Sequence, residues 1–157
     1  MAMKDPKQLA LLAELVHIDL DAVTVYDAAL RIVNVPVVEQ ALMEFRSDHL
    51  RHVRELNDRI EWLGGARARS VPDSEACQRH GFSAVQDGLR TEELVTALAE
   101  GEQVTNAAYA RVLKVDWDEE TRALLDLNFA DEQRHLQWVL MAARSRLWEQ
   151  GAPQPGA

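Results

Sequence analysis

Apolar residues recur at spacings of three, four or seven along four long stretches of this chain, a rhythm that suits helices and that no strand can use. Asp5 and Pro6 supply an N-cap and a first helical proline. Leu9, Leu12, Val16, Val23, Tyr26, Leu30 and Val33 follow, which predicts a helix over 6–33. Pro36 opens a second, carried by Val38, Leu42, Phe45, Val53, Leu56, Ile60 and Leu63 over 36–63, with a left-handed stop at Gly64-Gly65. Thr91, Glu92 and Glu93 begin a third over 91–115 through Val95, Leu98, Val104, Tyr109, Val112 and Val115. Asp116 and Glu119 read as a capping-box start for a fourth, over 117–149, with Gly151 as its stop. No segment alternates with period two between turn signals, so the fold class is all-α.

The joints fix the topology. At about 1.5 Å per residue the helices are roughly 40 Å long. The stretch 64–90 holds Gly, Pro, Ser and Asp without a sustained apolar stripe and is long enough to cross a bundle. Two short joints flanking one long crossover give two antiparallel hairpins, with the second and third helices parallel. At 157 residues the chain matches one domain, and we take 1–157 as a single four-helix bundle.

Sliding the sequence by 83 residues carries the first hairpin onto the second. Leu15 falls on Leu98, Asp19 on Glu102, Tyr26 on Tyr109, Leu42 on Leu125, Asp48 on Asp131, His49 on Glu132 and His52 on His135. The chain therefore reads as a pseudo-two-fold pair of related hairpins. In each helix the apolar seam is interrupted near its midpoint by a residue able to bind metal. Asp19 lies between Val16 and Val23, Glu102 between Leu98 and Tyr109, His49 and His52 between Phe45 and Leu56, and Glu132 and His135 between Leu125 and Val139. Asp48 is off that line and is expected to face outward. An unpartnered buried carboxylate or imidazole costs several kcal/mol, so six at one level require compensation, which a divalent cation supplies. Glu132 and His135, three apart on a helix, aim at one point.

These residues resemble the ferritin-like superfamily, particularly the hairpin repeat of bacterioferritin and rubrerythrin, over roughly 6–149 apart from the crossover. The segments 18–26 (IDLDAVTVY) and 102–109 (EQVTNAAY) look like the acid-bearing first and third helices, and EQRH at 132–135 matches the Glu-x-x-His of the fourth. The resemblance implies Asp19 and Glu102 as terminal ligands, Glu132 as a bridging carboxylate and His135 as a terminal imidazole. HLRH at 49–52 keeps the second-helix His52 but puts His49 where the other bridging Glu stands. A neutral imidazole ordinarily ligates one metal, so one bridge is expected to be lost. The metal is then one or two iron ions, with manganese or zinc as alternatives. Bacterioferritins hold haem through a Met just after that Glu. Leu50 stands here, so no haem is expected.

Other side chains carry blander readings. Tyr26 and Tyr109 are core aromatics with a polar tip, and Trp62, Trp117, Trp138 and Trp148 are packing or interface anchors. Met43 and Met141 fill gaps, His17 and His80 lie off the belt, Arg67 and Arg69 form a small solvated patch, and Cys77 is a bystander. A lone cysteine and an N-terminus without a signal-peptide pattern point to the cytoplasm. The net charge of -9 disfavours nucleic acid and anionic membranes as partners. The tail GAPQPGA at 151–157 cannot form the fifth helix of cage-forming ferritins, so a homodimer is expected in place of a cage. The resemblance implies reaction of iron with O2 or peroxide, as a ferroxidase or small oxidoreductase. The alternative is a non-catalytic helical interaction module whose degenerate or zinc-filled belt only fixes the bundle.

Overall fold

The computed structural model describes residues 5–69, 85 and 88–149. Four helices make the fold: α1 Pro6–Ile32, α2 Pro36–Trp62, α3 Thr91–Val112 and α4 Glu119–Ser145, followed by a short 3-10 turn, Leu147–Glu149. Helix α1 starts where Asp5 accepts from the Lys7 amide at 2.9 Å ahead of Pro6. Helix α2 stops in a Schellman motif, in which Gly64 at φ +86° donates to Glu61 and Gly65 donates to Ile60, both at 2.9 Å.

Three helix ends differ from the sequence expectation by two residues or more, each for a local reason. Helix α3 ends at Val112, short of 115, because the Trp117 indole donates to the Val112 carbonyl at 2.8 Å and closes the last turn. Helix α4 begins at Glu119 with Asp118 as its cap, accepting from the Thr121 amide at 2.9 Å. Arg59 of α2 braces that cap by reaching Asp118 at 2.6 Å, while the Asp116 carbonyl serves Gln8 of α1. Finally, α4 ends at Ser145 because Arg146 turns left-handed (φ 47°), well before Gly151.

The pairing of side chains gives the topology. Glu14 of α1 meets Arg111 of α3, while Tyr26 further along α1 meets Glu102 nearer the start of α3, so the two helices run antiparallel. Arg59 meets Glu120 and Asp48 meets Arg134, so α2 and α4 are antiparallel as well. Arg46 meets Asp27 across the first hairpin and Asn106 meets Glu132 across the second. Helices α2 and α3 therefore run the same way on opposite corners, which is a ferritin-like four-helix bundle. Leu12, Leu15, Leu56, Ile60, Val112 and Leu125 are wholly or almost wholly buried towards one end, and Ala29, Leu42, Phe45, Leu98 and Val139 towards the other. Between these two apolar layers lies a layer of ionisable groups. Among the described residues no helix is long and apolar enough to cross a membrane.

The crossover lies largely outside the described residues, as do Cys77 and His80. Arg67 and Arg69 are not merely solvated: Arg67 pairs with Asp58 at 2.8 Å, and Arg69 reaches the fully buried Asp21 at 3.1 Å.

Candidate metal centre

Each helix of the bundle contributes to the polar layer from its midpoint. Helix α1 gives Asp19, α2 gives His49 and His52, α3 gives Glu102, and α4 gives Glu132 and His135. All six are at most 2% exposed. Their donor atoms fall into two sets, each gathered within 4.8 Å: Asp19, His49, His52 and Glu132, and His49, Glu102, Glu132 and His135. His49 and Glu132 belong to both.

Asp19 Oδ1 accepts from His49 Nδ1 at 2.7 Å and from His52 Nδ1 at 3.2 Å, and its other oxygen accepts from the Tyr109 hydroxyl at 2.7 Å. Glu132 Oε1 lies 3.1 Å from His52 Nδ1 and 3.3 Å from His49 Nδ1, and Oε2 lies 3.8 Å from His135 Nδ1. On the far face of the His49 ring, Nε2 is 3.6 Å from Glu102 Oε1, which also accepts from the Tyr26 hydroxyl. Both Glu132 oxygens, His49 Nε2 and His135 Nδ1 are buried with no hydrogen-bond partner. A folded chain ordinarily pairs such atoms, and each orphan costs about 1–3 kcal/mol or more.

A second ring of side chains holds the layer from outside. His52 Nε2 donates to Asp131 at 3.1 Å and His135 Nε2 donates to Asp48 at 2.9 Å, each across the α2–α4 seam. Arg51 links Asp48 and Asp131 at 3.1 and 2.6 Å, and Arg134 links the same two at 2.7 and 3.0 Å. Asp48 therefore does not face outward as its place off the apolar line suggested. It sits half-buried beneath two guanidinium groups and orients an imidazole. Sequence reasoning also passed over Arg51 and Arg134. The signal was present, because they are one more pair at the 83-residue offset, in DHLRH at 48–52 and DEQRH at 131–135. Tyr26 and Tyr109 cross over in the same symmetry, Tyr26 to Glu102 and Tyr109 to Asp19. Asn106 ties the α3 backbone at Glu102 to the α4 backbone at Glu132, at 2.7 and 2.8 Å.

Electrostatics in the layer is settled by competition between burial and close opposite charge. Burial pushes the Asp19 carboxyl up, but His52 and His49 outweigh it and hold Asp19 well below the usual carboxylate range. Burial likewise opposes ionisation of Glu102, and His49 and His135 reverse it. For Glu132 burial prevails over His49 and His52, with Glu102 and Asp19 adding repulsion, so its carboxyl is pushed up to about 7. Burial would depress His52, yet Asp19 and Glu132 raise it to about 10. Against the same burial, Glu132, Asp19 and Glu102 raise His49 well above its ordinary value. His135 goes down, through burial and the neighbouring His49, although Asp48 partly opposes this. Burial and the adjacent carboxylates keep both tyrosines protonated. Without a metal, protons on His49 and His52 balance the carboxylates. A cation held by the layer would have to displace them.

No family description matches the chain, and no curated protein does. Among solved structures it is similar to the bacterioferritin of Desulfovibrio desulfuricans, a protein with a diiron site seen in different catalytic states, at a TM-score of 0.73 and 22% identity. The match covers 92% of this chain and 82% of that one. The likeness shows a shared ferritin-like fold, and in this chain that fold encloses a carboxylate and histidine group that could hold a metal ion.

Proposed function

We propose that this chain binds iron in the core of its bundle through Asp19, His49, His52, Glu102, Glu132 and His135, and reacts it with O2 or peroxide as a ferroxidase or small oxidoreductase. The observation that carries this is the set of orphaned buried atoms: both oxygens of Glu132, His49 Nε2 and His135 Nδ1 lie in one layer with no hydrogen-bond partner. Three carboxylates and three imidazoles are a donor set that suits iron, manganese or zinc. Bound iron would supply one-electron chemistry that the side chains themselves lack.

The chain's own residues prepare the site. Asp48 and Asp131 are carboxylates and can only accept, so the Nε2 positions of His135 and His52 carry the protons and the Nδ1 positions turn inward for ligation. The two tyrosine hydroxyls donate to Glu102 and Asp19 and limit how those carboxylates can rotate. The apolar layers on either side keep bulk water away from the belt. The same reading takes the chain as a cytoplasmic homodimer, with the 56% exposed Trp62 among the residues that pair.

A second reading is favoured by the close Asp19–His49 pair: a belt that protons or zinc neutralise, fixing the bundle without catalysis. Elemental analysis of protein purified without added metal, followed by the rate of Fe(II) oxidation under air, separates the two. Iron in the protein and oxidation faster than in buffer support the first reading. Zinc or no metal, with no acceleration, supports the second.

A further inference from the structure

His49 has a different surrounding on each side of its ring. Its Nδ1 faces Asp19 at 2.7 Å and Glu132 Oε1 at 3.3 Å, in the set that also contains His52. Its Nε2 has no hydrogen-bond partner, although the ring is fully buried, and its nearest carboxylate oxygen is Glu102 Oε1 at 3.6 Å, in the set that also contains His135. A terminal histidine turns one nitrogen to its metal and the other outward to a supporting acceptor, as His52 and His135 do with Asp131 and Asp48. His49 has no such outer acceptor. Both of its nitrogens point into the layer.

We propose that His49 is a bridging ligand, giving Nδ1 to one divalent cation and Nε2 to a second. This rests on the metal-binding reading above and adds the way in which two ions are joined. Each position then has two nitrogens and two oxygens: Asp19, Glu132 Oε1, His52 Nδ1 and His49 Nδ1 on one side, and Glu102, Glu132 Oε2, His135 Nδ1 and His49 Nε2 on the other. Four mixed donors of this kind suit zinc and its neighbours in the first transition row. The ring of the metal-free layer carries a proton on each nitrogen, so occupying both nitrogens forms two metal–nitrogen bonds and breaks two N–H bonds, the two protons passing to water.

The bridge sets a distance. Ions on opposite sides of one imidazole lie about 6 Å apart, the ring's width plus two bonds of roughly 2 Å. Paired metals joined by carboxylates lie about 3.5–4 Å apart. The experiment is anomalous diffraction from crystals of the full chain loaded with Zn(II), with the metal counted by elemental analysis in solution. The wild type is expected to hold two ions per chain about 6 Å apart, each bonded to one nitrogen of His49. In His49→Glu the ions should draw in to about 3.5–4 Å, and in His49→Gln the count should fall to one. Two ions already 3.5–4 Å apart in the wild type, or a single ion bonded to one His49 nitrogen, would overturn the bridge while leaving the metal site standing. An absence of zinc among these six residues would overturn both.

Discussion

His135 donates from Nε2 to the carboxylate of Asp48 at 2.9 Å, across the seam between α4 and α2, and the bond decides which ring nitrogen looks into the bundle. Burial opposes the charge on Asp48, yet His135, Arg51 and Arg134 hold it ionised, so it can act only as an acceptor. Removing it frees the ring to turn. Asp48→Ala should weaken metal binding about 10- to 100-fold while leaving the helix content unchanged. Competition against a chromophoric chelator, with circular dichroism as the control, checks this, and unchanged affinity would show that Asp48 has no part in orienting the ring.

Glu132 and Asp19 should differ in what their loss removes. Glu132 turns an oxygen to each ligand set and has no hydrogen-bond partner of its own, whereas Asp19 serves one set and is already held by Tyr109. Glu132→Ala is expected to abolish binding at both positions, and Asp19→Ala to spare the Glu102 and His135 side. Metal content per chain after dialysis measures the difference. Equal losses would contradict it.

Without metal, stability should fall as the solution becomes alkaline. The folded-state pKa of His52 is raised from 6.5 to about 10, so its contribution is fully present below 6.5 and is lost as pH rises through 10. Glu132 is raised from 4.5 to about 7, so its contribution is present below 4.5 and is lost as pH rises through 7. Both trends have the same sign. Metal competes with protons for these groups, so the loaded protein should gain stability relative to the chelated one as pH rises. Thermal unfolding of the two forms between pH 5 and pH 10 should give curves that diverge upward from the acid side, and parallel curves would refute the competition.

The end of α2 offers a test independent of the metal. Gly64 adopts φ +86° with open space around a would-be Cβ, so Gly64→Ala should cost only the left-handed backbone, about 1–2 kcal/mol. A Cβ on Gly65 would lie 2.9 Å from Ile60 Cγ2 and 3.1 Å from Leu9 Cδ2, so Gly65→Ala should cost about 1–3 kcal/mol through overpacking. Removing Cγ2 with Ile60→Ala should lower the cost of Gly65→Ala and leave that of Gly64→Ala unchanged. Urea denaturation of the wild type, the three single variants and the two doubles reads this directly.

The long elements were legible because an apolar seam of helical period is a local property that survives into the packed bundle. The six belt residues were legible for the same reason, as breaks in that seam. Helix ends were less so: nothing in the order of residues says that the indole of Trp117 will take the Val112 carbonyl, or that Arg59 from another helix will brace Asp118. Asp48 was misjudged because its position off the apolar line says only that it does not point at the bundle axis. Its burial comes from the neighbouring α4, and only the match of Asp48 to Asp131 in the repeat hinted at a shared role.

That repeat bears on how the two hairpins came to differ. Asp19, His49 and His52 come from the first hairpin and Glu102, Glu132 and His135 from the second, and each ligand set borrows one residue from the other hairpin. Two separate copies of one hairpin could assemble the same layer, but any substitution would then appear twice, as two histidines or two glutamates facing each other at the centre. Joining the copies in one polypeptide removes that obligation. Position 49 is histidine while position 132 is glutamate, a central pair of one imidazole and one carboxylate that no identical pair of hairpins can present.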